Sequence, residues 1–163
     1  MKSFFDRFEE YVLVGGLAVL VFLVFLQVVM RYFFQTSLTW SEEIARFLFL
    51  WLVWLGAAYA AKRQAHLKIE AFIQKLSSKS RKNIDILALL IWIAFSAFLA
   101  WKGGELTMIL FRRNQLSPVL EIRMAWAYAA VPVGAGLMFL RLLVQLRRTL
   151  REKTSRASAE VSK

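Results

Sequence analysis

Uncharged apolar stretches divide this chain at regular intervals: Tyr11–Met30, Phe47–Ala61, Ile86–Trp101 and Met124–Leu140. A helix that crosses a bilayer needs about 20 mostly apolar residues, each advancing about 1.5 Å. The first stretch meets that length alone, and the others meet it once a flanking residue or two is included. The pattern predicts an all-α integral membrane protein with four transmembrane helices. Their expected extents are about 11–34, 41–61, 84–104 and 123–146, within a single membrane domain over residues 1–150. Residues 151–163 are polar and are expected to form a disordered tail. Phe4 to Phe34 reads as one continuous helix, longer than the hydrocarbon core, which requires tilt or projection beyond it.

A different period occupies the segment between the second and third stretches. Ile69, Phe72, Ile73 and Leu76 recur at i, i+3, i+4 and i+7, with Lys68 and Lys75 beside them. This predicts an amphipathic helix lying on the lipid surface. His66 stands just before it, either as a hydrogen-bonding or capping residue or as a pH-sensitive or partner contact. Further on, helix three is expected to continue past Trp101, the chain to break at Pro118, and helix four to kink at Pro132, with Gly134 and Gly136 following.

Composition agrees with a membrane class: 59% of the residues are hydrophobic and the mean hydropathy is +0.52. The net charge of +11 is distributed unevenly along the chain. Lys2 and Arg7 precede the first span, a run from Lys62 to Lys82 follows the second, and a basic tail from Arg141 follows the fourth. That side holds sixteen basic residues against six on the other. The excess predicts that both termini are cytoplasmic. A nucleic-acid partner is not expected, because the basic residues border membrane spans rather than a soluble recognition face. The first span is expected to stay in the mature protein. Asp6, Glu9 and Glu10 sit in its leading segment, and its apolar run exceeds the usual signal-peptide core of about 7–15 residues.

Candidate chemistry is sparse. The chain has no cysteine and one histidine, so a thiolate metal site, a bis-histidine haem or a multi-histidine zinc site cannot be built within it. No phosphate loop, nucleophile elbow or metalloprotease motif is present. No enzymatic activity, cofactor or metal is expected. Charge concentrates instead at the mouth of the second span, in "TWSEEIARFLFLWLVWLG". Thr39 and Glu42 have capping-box spacing, and Trp40 suits a membrane interface. Arg46 is placed to meet Glu42 at i,i+4 or Glu43 at i,i+3, with Arg31 nearby across a short hairpin loop. Three readings stay open: a self-neutralised helix cap, a docking contact for a partner subunit, and an ion-carrying site. Gly56, Ala57, Ala60 and Ala61 form a small-residue surface that serves either internal or partner packing.

These residues carry a resemblance. Trp40-Ser41-Glu42-Glu43 with Arg46 and Trp51, then Gly56-Ala57-Ala58, then His66, resemble the small membrane subunit of tripartite ATP-independent periplasmic (TRAP) transporters, the DctQ-like family. "LSPVLEIRMAWAYAAVPVGAGL" is similar to that family's final loop and fourth helix, and the likeness runs from about Tyr11 to Arg148. One departure is Arg123, where the pattern leads one to expect proline. The resemblance implies a bacterial inner-membrane scaffold subunit. Its partners would be a large elevator-type membrane subunit carrying the substrate and sodium sites, a periplasmic substrate-binding protein, and the lipid bilayer. The cargo would be an organic acid such as a dicarboxylate or a sialic acid. The residues it marks as partner-subunit or structural motif are Trp40, Glu42, Glu43, Arg46, Gly56, His66, Pro118, Met124, Tyr128, Pro132 and Gly134. Two rivals remain. One is a stand-alone small channel or transporter, for which Gln27, Ser96 and Thr107 are the available polar groups. The other is the membrane anchor of a redox enzyme.

Overall fold

The computed structural model describes residues 4–63 and 78–161. The expected interfacial helix, with Ile69, Phe72, Ile73 and Leu76, lies outside the described residues, as does His66. Five helices account for nearly all the rest: α1 (Phe4–Phe33), α2 (Thr39–Arg63), α3 (Ser78–Arg112), α4 (Met124–Tyr128) and α5 (Ala130–Val161). Four segments are long and apolar enough to cross a membrane: Arg7–Phe33, Thr39–Lys62, Ile86–Arg112 and Met124–Leu150. The third runs past its expected extent because the apolar run Leu106–Phe111 outlasts Lys102 and Glu105, and the fourth runs past its own as far as Leu150.

The helices stand in a row. α1 packs on α2, α2 on α5 and α5 on α3, while the short α4 bridges α2 and α3. Among the described residues, no packed interface joins α1 to α3 and closes the row into a bundle. Burial follows from this. No residue in the apolar stretch of α1 is buried, because only one of its sides meets protein. The buried residues lie mainly in the middle of the row, where Ala58, Met138 and Leu142 cluster with Ala61, Ile93 and Leu137. Lipid offers no hydrophobic drive between spans, so association depends on close packing, and small residues allow it. Gly134 is the tightest case: a Cβ there would stand 2.6 Å from Cβ of Trp54 and 2.7 Å from its carbonyl oxygen. Gly103 does the same for α3, where a Cβ would come within 2.9 Å of Val131 Cγ1 and 3.2 Å of Pro132 Cδ.

Near Pro132 the helix is interrupted, and the interruption falls before the proline. Helical pairing is interrupted at Ala129. Proline has no N–H to donate to the carbonyl of Tyr128 four positions earlier, and its ring crowds that carbonyl. One span is therefore built from two helices, α4 and α5. α5 runs on through residues 151–161.

Candidate functional site

The charged end of α2 meets the loop that leaves α3, and the loop is tightly formed. Asn114 takes a left-handed φ of 53° just past the end of α3. Gln115 N–H donates to the Leu110 carbonyl and Asn114 N–H to the Phe111 carbonyl, the paired bonds of a Schellman ending. The chain then folds back on itself. Leu116 and Arg123 form an antiparallel bridge, Ser117 N–H donates to Ile122 O at 2.8 Å, and Met124 N–H donates to Gln115 O at 2.9 Å. Glu121 turns the tip with φ 54°. Arg123 has φ −60° and ψ 121°. A proline ring fixes φ near that value, so arginine preserves the backbone that proline would give. Its guanidinium lies 5.1 Å from the Phe111 ring centre.

Glu43 fastens this loop to α2. Its Oε2 accepts the backbone N–H of Leu120 at 2.8 Å, and the residue is 6% exposed. A carboxylate bond made away from water is stronger than a neutral one. Beside it, buried Ser41 donates through Oγ to the Leu38 carbonyl at 2.8 Å. The expected Thr39–Glu42 capping box does not form. The Leu38 carbonyl already accepts from Ser41 and Glu42 N–H, so the helix begins one residue earlier and Thr39 lies inside its first turn. The self-neutralised cap is also absent. Among the described residues neither Glu42 nor Arg46 forms an ion pair, since Glu43 turns inward while Glu42 and Arg46 are exposed.

The remaining marked residues divide between two places. Trp40 and Pro118 are exposed at the loop end. Met124 and Tyr128 are half-buried at the two ends of α4, and Pro132 and Gly134 form the crossings of α5 with α3 and α2. Trp51 on α2 reaches α4 through Nε1, which donates to Trp126 O at 3.2 Å. Gly56 is different: a Cβ there would meet nothing within 4 Å. It stands on an open face and is not part of the packed middle.

The other membrane edge of the helices carries ties that sequence reading passed over. Arg141 on α5 donates to Glu9 on α1, across α2, and Tyr59 on α2 donates to Glu10 at 3.4 Å. In the sequence, Glu9 and Glu10 speak only against a signal peptide. A signal was available, because topology with both termini on one side brings Glu9 and Arg141 to the same membrane edge. Two of the three polar groups available to a permeation path are occupied locally: Ser96 Oγ donates to Ile93 O and Thr107 Oγ1 to Gly103 O, each within α3.

Four apolar spans in a row and no cluster of metal-ligating side chains among the described residues define a small multi-pass membrane component. The chain belongs to the DctQ component of the tripartite ATP-independent periplasmic transporters, whose family profile matches residues 20–152. It is a TRAP-type small permease component and not an enzyme. It is 31% identical to the C4-dicarboxylate TRAP transporter small permease protein DctQ of Vibrio cholerae, across 86% of this chain and 70% of that protein. It is 28% identical to the sialic acid TRAP transporter small permease protein SiaQ of the same organism, across 90% of this chain and 83% of that protein. It is 27% identical to the isethionate TRAP transporter permease protein DctMQ of Oleidesulfovibrio alaskensis across 89% of this chain, and there the chain spans only 24% of its relative's length.

Proposed function

We propose that this chain is the fixed scaffold subunit of a TRAP transporter in a bacterial inner membrane, with both termini cytoplasmic. It anchors a large elevator-type membrane subunit that takes up an organic acid, of the dicarboxylate or sialic-acid class, by sodium symport. A periplasmic binding protein delivers the cargo. The observation that carries this reading is the open row of helices. A closed four-helix bundle satisfies its own apolar faces, whereas a row leaves two broad faces for lipid and for a larger partner. Gly56 lies open on one of them. The match to a quarter of the isethionate permease supports a companion that is much larger than this chain.

Ser96 and Thr107 bond within their own helix, which disfavours a self-contained channel. The test is co-purification from native membranes through a C-terminal tag, with mass spectrometry of the recovered proteins. A large polytopic membrane protein in about equal amount is the expected result. Recovery of this chain alone as a stable homo-oligomer would overturn the scaffold reading.

A further inference from the structure

Where α1 turns into α2, the hairpin encloses a cavity of about 220 Å³. Its wall includes Val24, Gln27, Val28 and Arg31 from α1, and Leu38 and Glu42 from the loop and α2. The polar groups are ordered by depth. Arg31 and Glu42 have opposite charge, line the same cavity, and form no ion pair among the described residues. Gln27 lies one helical turn deeper than Arg31, on the same side of α1. Its Nε2 is buried without a hydrogen-bond partner. A buried donor left unpaired is costly, which marks a place where a partner is missing. Val24 and Val28 are 46% and 48% exposed, so the apolar wall is continuous with the outer surface of α1. The cavity therefore lies at the end of a membrane span and borders the region where lipid headgroups reside.

We propose that this cavity is a binding site for one diacyl phospholipid with a primary ammonium headgroup, of the phosphatidylethanolamine type. The match is group by group. Guanidinium suits phosphate, which it can grip with two parallel N–H bonds. The Glu42 carboxylate suits the ammonium, which follows the phosphate in the headgroup. The Gln27 amide, deeper by one turn, donates to an ester carbonyl of the glycerol. The valines receive the start of an acyl chain. A purely anionic lipid such as phosphatidylglycerol offers Glu42 only neutral hydroxyls and no positive charge, and a trimethylated ammonium has no N–H to donate. The site goes beyond the transport reading and does not rest on it.

The test is native mass spectrometry of the full chain, purified with whatever accompanies it, delipidated and re-supplied with phosphatidylethanolamine, phosphatidylcholine or phosphatidylglycerol. The expected result is retention of the first about tenfold over the other two, the size of one charge-assisted hydrogen bond. Glu42→Gln, an isosteric change at an exposed position, removes that preference and leaves the other two lipids unchanged. Arg31→Ala lowers retention of all three. Lys102→Ala, at an exposed ion pair elsewhere on α3, changes nothing and controls for generic surface charge. Equal retention of the three lipids by the unmodified chain, or a preference that survives Glu42→Gln, would overturn the proposal. Glycerophosphoethanolamine without acyl chains is expected not to compete. Competition by it at equal concentration would assign the cavity to a soluble ligand and defeat the lipid reading.

Discussion

The carboxylate of Glu43 holds the backbone N–H of Leu120, a residue 77 positions away in the chain. This one bond ties the start of α2 to the tip of the loop after α3. It predicts that Glu43→Ala frees the loop. The Leu120 amide should exchange with deuterium at least tenfold faster, in keeping with loss of a charged hydrogen bond of about 1.5–3 kcal/mol. Glu43→Gln keeps an acceptor and should show a smaller change. Unaltered exchange at Leu120 in the alanine variant would refute the anchoring role.

Gly134 and Gly56 make a contrasting pair. Gly134→Ala places a methyl against the Trp54 backbone, which cannot move aside without separating α2 from α5. A loss of about 1–3 kcal/mol is expected, visible as a lower midpoint in thermal unfolding followed by tryptophan fluorescence. Gly56→Ala meets open space. It should leave that midpoint within about 0.5 kcal/mol of the unmodified chain, and Gly56→Leu should reduce recovery of the proposed large partner. A Gly134→Ala chain as stable as the parent would show that the crossing is not close-packed.

Glu9 and Arg141 link the edge helix α1 to α5. Both are partly exposed, so the coupling between Glu9→Gln and Arg141→Ala in a double-mutant cycle should be about 1 kcal/mol or less. Protease cleavage near the start of α1 should rise in either single variant. Additive effects of the two substitutions would mean that the pair contributes nothing.

Topology is open to direct labelling, because the chain has no native cysteine. In intact spheroplasts a membrane-impermeant maleimide should label Ser37→Cys and Val119→Cys. It should label Thr154→Cys only after the membrane is opened. The reverse pattern would invert the proposed orientation.

Much of the architecture can be read from single letters, and the reasons are local. Span count follows from uncharged length. The interruption before Pro132 follows from a missing N–H, and the continuation of α3 to Arg112 follows from an apolar pattern that outlasts Lys102 and Glu105. The lateral order of the spans is not legible in this way. In soluble proteins a polar face marks the outside of a helix, but a span surrounded by lipid is apolar on every side. Nothing in α2 therefore announces that Trp54 will meet Gly134. The Glu43 contact was hidden for another reason: its donor is a main-chain amide, which every residue except proline possesses. Charge spacing lets Arg46 meet either Glu42 or Glu43, yet such pairs contribute only about 0.3–0.5 kcal/mol on an exposed helix surface. The burial of the neighbouring glutamate outweighs that.

A row of helices behaves like a chain of nearest neighbours. Each internal helix is secured on two flanks and each terminal one on a single flank, so stability resembles a sum of pairwise terms, as in linear repeat proteins. Damage should stay where it is inflicted: a fault at the α1–α2 seam need not reach the α5–α3 seam. The edges, α1 and α3, should peel away before the centre gives, with the Glu9–Arg141 tie as the clasp that delays one of them. The seam between α2 and α5 has no such tolerance, because parting there at Gly134 divides the protein into two halves.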